Sequence, residues 1–293
     1  MPTFKRIATP LLVLALLGGA LTGVLSAQTA SHDPTPVADA ASATGPDPVS
    51  ATGAFGAGLA SYRAGDMAGT VMHWEKAARA GNLSAQWNLT RIYASRSGGY
   101  YDPGRRLHYL QLAANRHDPD APPGPGSAVA VEALVELGLA YAGGVPEADL
   151  APQPQRALAI LEHAAALYGH ARAQHYLGLM YLRGDGVRRD ESRAVRWLSL
   201  SARKRFAPSQ AALGDYFWNR GTAGLAGEQD RMRGLMWLAL AKESAKDDAA
   251  RTAIVDRYNQ AMTGVDPAER KQVEALVAGW NDRYSAVALQ VSN

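Results

Sequence analysis

The 293-residue chain is expected to fold as an all-α solenoid of stacked helix pairs. Three recurrences lead there. A Leu-Gly-x-x-aromatic element returns at Leu137-Gly138-Leu139-Ala140-Tyr141, Leu177-Gly178-Leu179-Met180-Tyr181 and Leu213-Gly214-Asp215-Tyr216-Phe217. Leu89-Thr90-Arg91-Ile92-Tyr93 is the same element with Thr for Gly. A pair of small residues returns at Ala77-Ala78, Ala113-Ala114, Ala164-Ala165 and Ser201-Ala202. Asp66, Asp102 and Asp190 stand at one fixed place before those pairs, with Gln153 as the exception. Asp230 takes that place in a fifth copy, which carries Trp237 and Ala241 where the fourth has Trp197 and Ser201. Two short amphipathic helices cannot bury their faces alone, so a unit of this kind requires stacked copies.

Ala171–Ala202 shows the unit most plainly. Ala173, Leu177 and Tyr181 recur every four residues and share a helical face. Gly178 lies inside that helix, where Gly costs ~1 kcal/mol relative to Ala, so a neighbour is expected to approach closely there. Gly184-Asp185-Gly186 stops the helix, and Asp190 is the expected N-cap of the second, whose apolar face is Ala194, Val195, Leu198, Ser201 and Ala202.

Along the chain, residues 1–27 read as a signal peptide, with Lys5 and Arg6 as the basic start, Leu11–Leu25 as the apolar middle and Leu25-Ser26-Ala27 as the cleavage region. An uncleaved anchor is the alternative. The apolar run falls short of the ~20 residues of a spanning helix, so no stable membrane insertion is expected after cleavage. Residues 28–53, rich in Ala, Thr, Ser and Pro, are expected to be a disordered linker. Five units should follow over 54–245. The run from His117 to Gly126 carries too many prolines and glycines for a helix and is expected to be an exposed, protease-accessible loop. Further insertions are expected at Gly143–Gln155 and Asn219–Gln229. Residues 246–293 should supply capping helices: Ala249–Met262, then a helix opened by Asp266-Pro267-Ala268-Glu269, fraying from Ser285.

Composition and motifs exclude several function classes. Without cysteine there is no disulfide, thiolate metal site or Cys nucleophile. The formal charge of +3 falls to near neutrality once Lys5 and Arg6 are removed, which is no footprint for nucleic acid. His170 and His175 have the wrong spacing to share a helical face, and no His-Glu-x-x-His, Gly-x-Ser-x-Gly or phosphate loop occurs. No catalytic residue, metal site or cofactor is therefore expected, and the chain reads as a binding protein rather than an enzyme.

First helices of such arrays line a groove. Trp87, Arg91, His175, Asp215 and Trp218 occupy positions there that packing does not claim, and Tyr100 and Tyr101 lie in a loop. All seven are candidates for partner binding, since Trp and Arg are frequent interface anchors. For Trp87 and Trp218, wedging between helices is the competing reading.

AQHYLGLMYLRGDGVRRDESRAVRWLSLSA resembles the Sel1-like repeat, a relative of the tetratricopeptide repeat with a longer inter-helix loop. The order of units, including RAGNLSAQWNLTRIYA, SAVAVEALVELGLAYAGGVPEA and RGLMWLALA, is similar to the ExoR family of alphaproteobacterial regulators. The resemblance runs from Leu59 to Ala241 and implies a right-handed superhelix in the periplasm. It further implies negative regulation of exopolysaccharide production through the periplasmic domain of a sensor histidine kinase of the ExoS/ChvI type, with a periplasmic protease lifting the restraint in response to acidity. Asp118, Pro119, Asp120 and Ala121 are then the candidates for cutting, and His117 and His175 for the pH response. A scaffold for envelope or polysaccharide assembly is the alternative. The register is testable: Leu177→Asp buries an unpaired carboxylate between helices and is expected to cost several kcal/mol, read as a lowered thermal midpoint. An unchanged midpoint would put Leu177 at the surface.

Overall fold

The computed structural model describes residues 48–118, 120, 124–224, 227–246 and 248–290. Among them lie twelve helices and no strand. Ten helices form five antiparallel pairs: α1 (Pro48–Arg63) with α2 (Met67–Arg79), α3 (Leu83–Ala94) with α4 (Pro103–Ala114), α5 (Pro125–Gly143) with α6 (Pro154–Leu167), α7 (Ala171–Arg183) with α8 (Glu191–Arg203), and α9 (Ala207–Thr222) with α10 (Gly227–Ser244). Each second helix also packs on the first helix of the next pair, which makes the array a solenoid. The expected signal peptide, Pro119 and Ala121 lie outside the described residues. So does the expected linker up to residue 47; its end instead forms the opening of α1, where Ala51 is already buried.

The caps start the second helices as expected. One carboxylate oxygen of Asp66, Asp102 and Asp190 accepts from the backbone N–H of Gly69, Arg105 and Arg193, each at 2.9 Å, satisfying a donor the helix cannot. Gln153 makes no such bond. Asp230 departs from the expected role: it lies within the first turn of α10, buried, and pairs with Arg220 and Arg233 at 3.3 Å each. The cause is a lengthened fifth unit. A Cβ on Gly221 would fall 2.5 Å from the Arg231 backbone, and one on Gly234 2.6 Å from the Trp218 backbone. Lacking a Cβ at both places, α9 and α10 run against each other through most of the expected Asn219–Gln229 loop, which is largely helical.

Gly178 has the close neighbour its position calls for. A Cβ there would lie 2.7 Å from Leu198, and Gly214 meets Leu238 at the same distance; Gly138 meets Leu161 at 3.0 Å. Leu161, Leu198 and Leu238 are fully buried, and Trp74 fills the equivalent place in the first pair against Gly58.

A second device joins one pair to the next. The side-chain amides of the buried Gln86, Gln174 and Gln210 donate to the carbonyls of Ala78, Ala165 and Ala202, at 3.1, 3.2 and 3.2 Å. These carbonyls close the preceding second helices; those of Ala78 and Ala202 also accept the backbone N–H of Gly81 and Arg205, at 3.0 Å each, so there the glutamine is an additional donor. At the junction between the second and third pairs Leu134 occupies the glutamine's place. There Nδ1 of His117, in the connecting loop, hydrogen-bonds the Ala114 carbonyl at 2.8 Å.

α5 is the one helix among the described residues long and apolar enough to cross a membrane, yet its flanks from Ala130 to Tyr141 are buried against α4, α6 and α7. At the far end α11 (Asp248–Met262) and α12 (Pro267–Gln290) bring Ala261, Met262, Val265 and Val273 onto Met232, Leu235 and Leu238. Asp266 and Glu269 open α12 with reciprocal capping bonds, and the helix continues to Gln290, past the expected fraying point at Ser285. Gly178→Val is expected to cost about 1–3 kcal/mol by overpacking. In a double-mutant cycle with Leu198→Ala, denaturant titrations should show favourable coupling; purely additive costs would mean that the two positions do not meet.

Candidate interaction surface

The cap geometry places more than a carboxylate. Three residues after the cap position of the second to fifth pairs stands an arginine, Arg105, Arg156, Arg193 and Arg233, whereas the first pair has Gly69. Each guanidinium lies over the aromatic ring that ends its partner first helix. The distances to the ring centroid are 5.5 Å on Tyr93, 4.1 Å on Tyr141, 5.6 Å on Tyr181 and 5.9 Å on Phe217. Such stacking contributes ~0.5–1 kcal/mol at exposed sites. Arg105, Arg193 and Arg233 also pair with the Asp three residues before, at 3.4, 3.4 and 3.3 Å. A cation near a helix N-terminus opposes the helix dipole; ring and carboxylate together hold it there. The result is a row of four exposed guanidinium groups on the second helices, one per pair from the second to the fifth. The signal of this row in the sequence is an Arg three positions beyond the cap place of the second to fifth pairs.

A second charged cluster joins the second, third and fourth pairs. Arg106 on α4 donates to Glu136 on α5 at 2.9 Å. Arg172 on α7 reaches Glu136 and also Glu132, the latter at 2.8 Å, and Nε2 of His170 lies 2.9 Å from Glu132. Burial pushes the Glu132 carboxyl up, but the His170 hydrogen bond and the Arg172 charge outweigh it and hold the group below its ordinary value. At the loop edge, Glu147 in the insertion of the third pair accepts from Arg96 at 3.0 Å and Tyr101 at 3.4 Å, and Arg96 stacks on the Tyr101 ring.

The candidate binding residues are thus dispersed rather than gathered. Trp87 is half-buried against the main core, Trp218 packs on the cluster beneath α11 and α12, and Tyr100 leans on the core of the first two pairs. Tyr101 is engaged with Arg96 and Glu147. Arg91 is half-buried, and burial lowers its pKa. Asp215 pairs with Arg257 of α11. His117 is tied to the Ala114 carbonyl, with its ring edge-on to His163. Asp118 and Asp120 are exposed, as a cuttable loop requires.

His175 is a correction. It is 8% exposed, packed on Phe206 and Tyr176, so it presents nothing to a partner. Its Nδ1 hydrogen-bonds Ser209 Oγ at 3.0 Å; Ser209 in turn donates to Ser201 Oγ, and Ser201 to the Ala171 carbonyl. With both hydroxyl protons committed, His175 Nδ1 is the donor. Burial pushes the imidazole pKa down to about 3, so the folded protein holds it neutral, and any pH response from it runs through stability rather than through an exposed charge.

Comparison with known proteins agrees with this architecture. The family model of the Sel1 repeat matches residues 61–82, 131–168, 171–205 and 207–245, so the chain carries Sel1 repeats. Among curated proteins, it is similar to the exopolysaccharide production negative regulator of Rhizobium meliloti (strain 1021), 26% identical over 196 residues, covering 66% of this chain and 69% of the relative. It is also similar to the protein of the same name from Rhizobium leguminosarum bv. viciae, 23% identical over 239 residues, 81% of this chain and 80% of the relative. Among solved structures, a protective antigen of uropathogenic Escherichia coli displaying an SLR fold superposes with a TM-score of 0.59 at 21% identity, over 81% of this chain and 47% of the antigen.

His175 sets a pH dependence. Between about pH 6.5, where the unfolded side chain titrates, and the folded value of about 3, the unfolded chain binds a proton that the folded chain does not. The stability contributed by the neutral, buried form is complete above that window and is lost as pH falls through it, by about 1.4 kcal/mol per pH unit. His175→Gln is expected to flatten the decline between pH 6.5 and 4.5 in denaturant titrations; parallel curves would contradict a buried neutral imidazole.

Proposed function

We propose that this Sel1-repeat chain is an exported binding protein that restrains exopolysaccharide production by holding the periplasmic domain of a sensor histidine kinase in its inactive state. The observation that carries the reading is the extent of the similarity to the two negative regulators, which spans several units in order rather than one repeat. Export would be directed by residues 1–27, with their basic start and apolar run. The surface supports binding over turnover: its exposed row of arginines is held by rings and carboxylates, an arrangement that presents donors to a partner.

In this reading the loop after α4 is where a periplasmic protease ends the restraint. Asp118 and Asp120 are exposed there, between the second and third pairs. Cutting would separate His117 and its carbonyl bond from α5, at the junction that has no glutamine.

The test is capture of solubilised envelope proteins by the chain lacking residues 1–27, at neutral and acidic pH. A sensor kinase is expected at neutral pH, and less of it in acid. Recovery of polysaccharide-export or cell-wall machinery, with no kinase at either pH, would replace the regulator with a scaffold.

A further inference from the structure

The four arginine–aromatic steps carry a third position, two residues before the first small residue of each second helix. It holds Glu75, Gln111, Glu162 and Ser199 in the preceding pair. In the first step the three groups close on one another. Glu75 Oε1 accepts from Tyr93 Oη at 2.6 Å and from Arg105 Nη1 at 2.9 Å, and Arg105 Nη1 lies 3.0 Å from the same phenol oxygen. A carboxylate is thus seated between a phenol and a guanidinium.

The third step has the same three residue types and stays open. Arg193 sits over Tyr181 as Arg105 sits over Tyr93, with Nη1 3.4 Å from the phenol oxygen. Among the described residues no hydrogen bond or ion pair joins Glu162 to either. Instead a cavity of about 250 Å³ opens between α6 and α8, lined by Glu162, Tyr181, Arg193, Arg196, Trp197 and Leu200. The Arg193 side chain is 61% exposed and Leu200 40%. The other two steps lack this chemistry: Gln111 with Tyr141 brings no charge, and Ser199 with Phe217 brings neither acid nor phenol.

We propose that this cavity is a binding seat for an acidic side chain of a protein partner, flanked by an apolar neighbour. The partner's carboxylate would take the place relative to Tyr181 and Arg193 that Glu75 takes relative to Tyr93 and Arg105. The Tyr181 hydroxyl and Arg193 would donate to it; Asp190 pairs with Arg193 at 3.4 Å, Arg196 offsets Glu162, and Trp197 and Leu200 receive the apolar neighbour. The inference deepens the proposed function and rests on its reading of the partner as a protein.

The probe is the peptide acetyl-Leu-Glu-Leu-Glu-Leu-amide, with its Gln counterpart and sodium glucuronate as controls. The readout is the indole ¹⁵N–¹H resonance of Trp197, assigned by Trp197→Phe. The acidic peptide is expected to shift it, and the Gln peptide is not. Tyr181→Phe, which keeps the ring and the stacking, and Arg193→Gln should each weaken binding about tenfold, the scale of one lost charge-assisted hydrogen bond. Arg105→Gln, in the filled step, should leave it unchanged. Equal shifts with both peptides, no shift, or a response to glucuronate alone would overturn the seat. A wild-type chain that binds the peptide but captures no kinase overturns the regulator reading and leaves the seat. Kinase capture undiminished in Tyr181→Phe, with no peptide shift, overturns the seat and leaves that reading.

Discussion

The carbonyl that ends each second helix is buried by the next pair, and much of the array follows from how it is bonded. A helix leaves its last carbonyls without internal partners, and a buried one left unpaired costs about 1–3 kcal/mol. At three junctions a glutamine in the opening turn of the following first helix donates to this carbonyl, alone at Ala165 and beside a backbone N–H from Gly81 at Ala78 and from Arg205 at Ala202. That bond ties the opening turn of the next first helix to the end of the second helix before it. Four residues on from Gln174 and Gln210 stand Gly178 and Gly214, where a Cβ would fall 2.7 Å from Leu198 and Leu238; after Gln86 the same place holds Thr90. The spacing from Gln174 to Gly178 and from Gln210 to Gly214 is thus one constraint expressed twice.

Where the loop after α4 interrupts the repeat, the same carbonyl is bonded by a residue of the loop itself. Leu134 stands in the glutamine's place, and α5 is held instead by the Arg106–Glu136–Arg172–Glu132 cluster and a continuous apolar core. Single exposed ion pairs contribute roughly 0–1 kcal/mol, and networks of several contribute more. This junction joins four ionised side chains, with His170 as a fifth member.

Much of this was legible in the sequence because repetition samples the same physics several times. Asp66, Asp102 and Asp190 sit at one offset from the small residues, and one geometry explains all three. Asp230 misled because offset alone does not report helix length: Gly221 and Gly234 let α9 and α10 run on together, so the same offset fell inside a helix. His175 misled for another reason. On a surface helix, a residue opposite the apolar stripe is solvated. An inner solenoid helix has neighbours on several sides, and α7 buries Gln174, His175 and Tyr176 as well as Ala173 and Leu177. Periodicity identifies one buried face and is silent about a second.

The arginine row shows how function can be layered on such a constraint. Arg105 and Arg193 are placed by a cap carboxylate and a ring, Arg233 by Asp230 and a ring, and Arg156 by a ring. What varies is the third position, from Glu75 to Gln111, Glu162 and Ser199, together with the space beside it. Where Glu75 closes on Tyr93 and Arg105, the donors are already satisfied and the step is structural. Where Glu162 stands apart, equivalent donors face a cavity. A hydrogen-bond donor already satisfied within the chain gains little from a partner, whereas one facing a cleft exchanges water for a charge-assisted bond and gains the net difference. Specificity in this array therefore depends less on which residues are exposed than on which of the repeated triads are left unclosed.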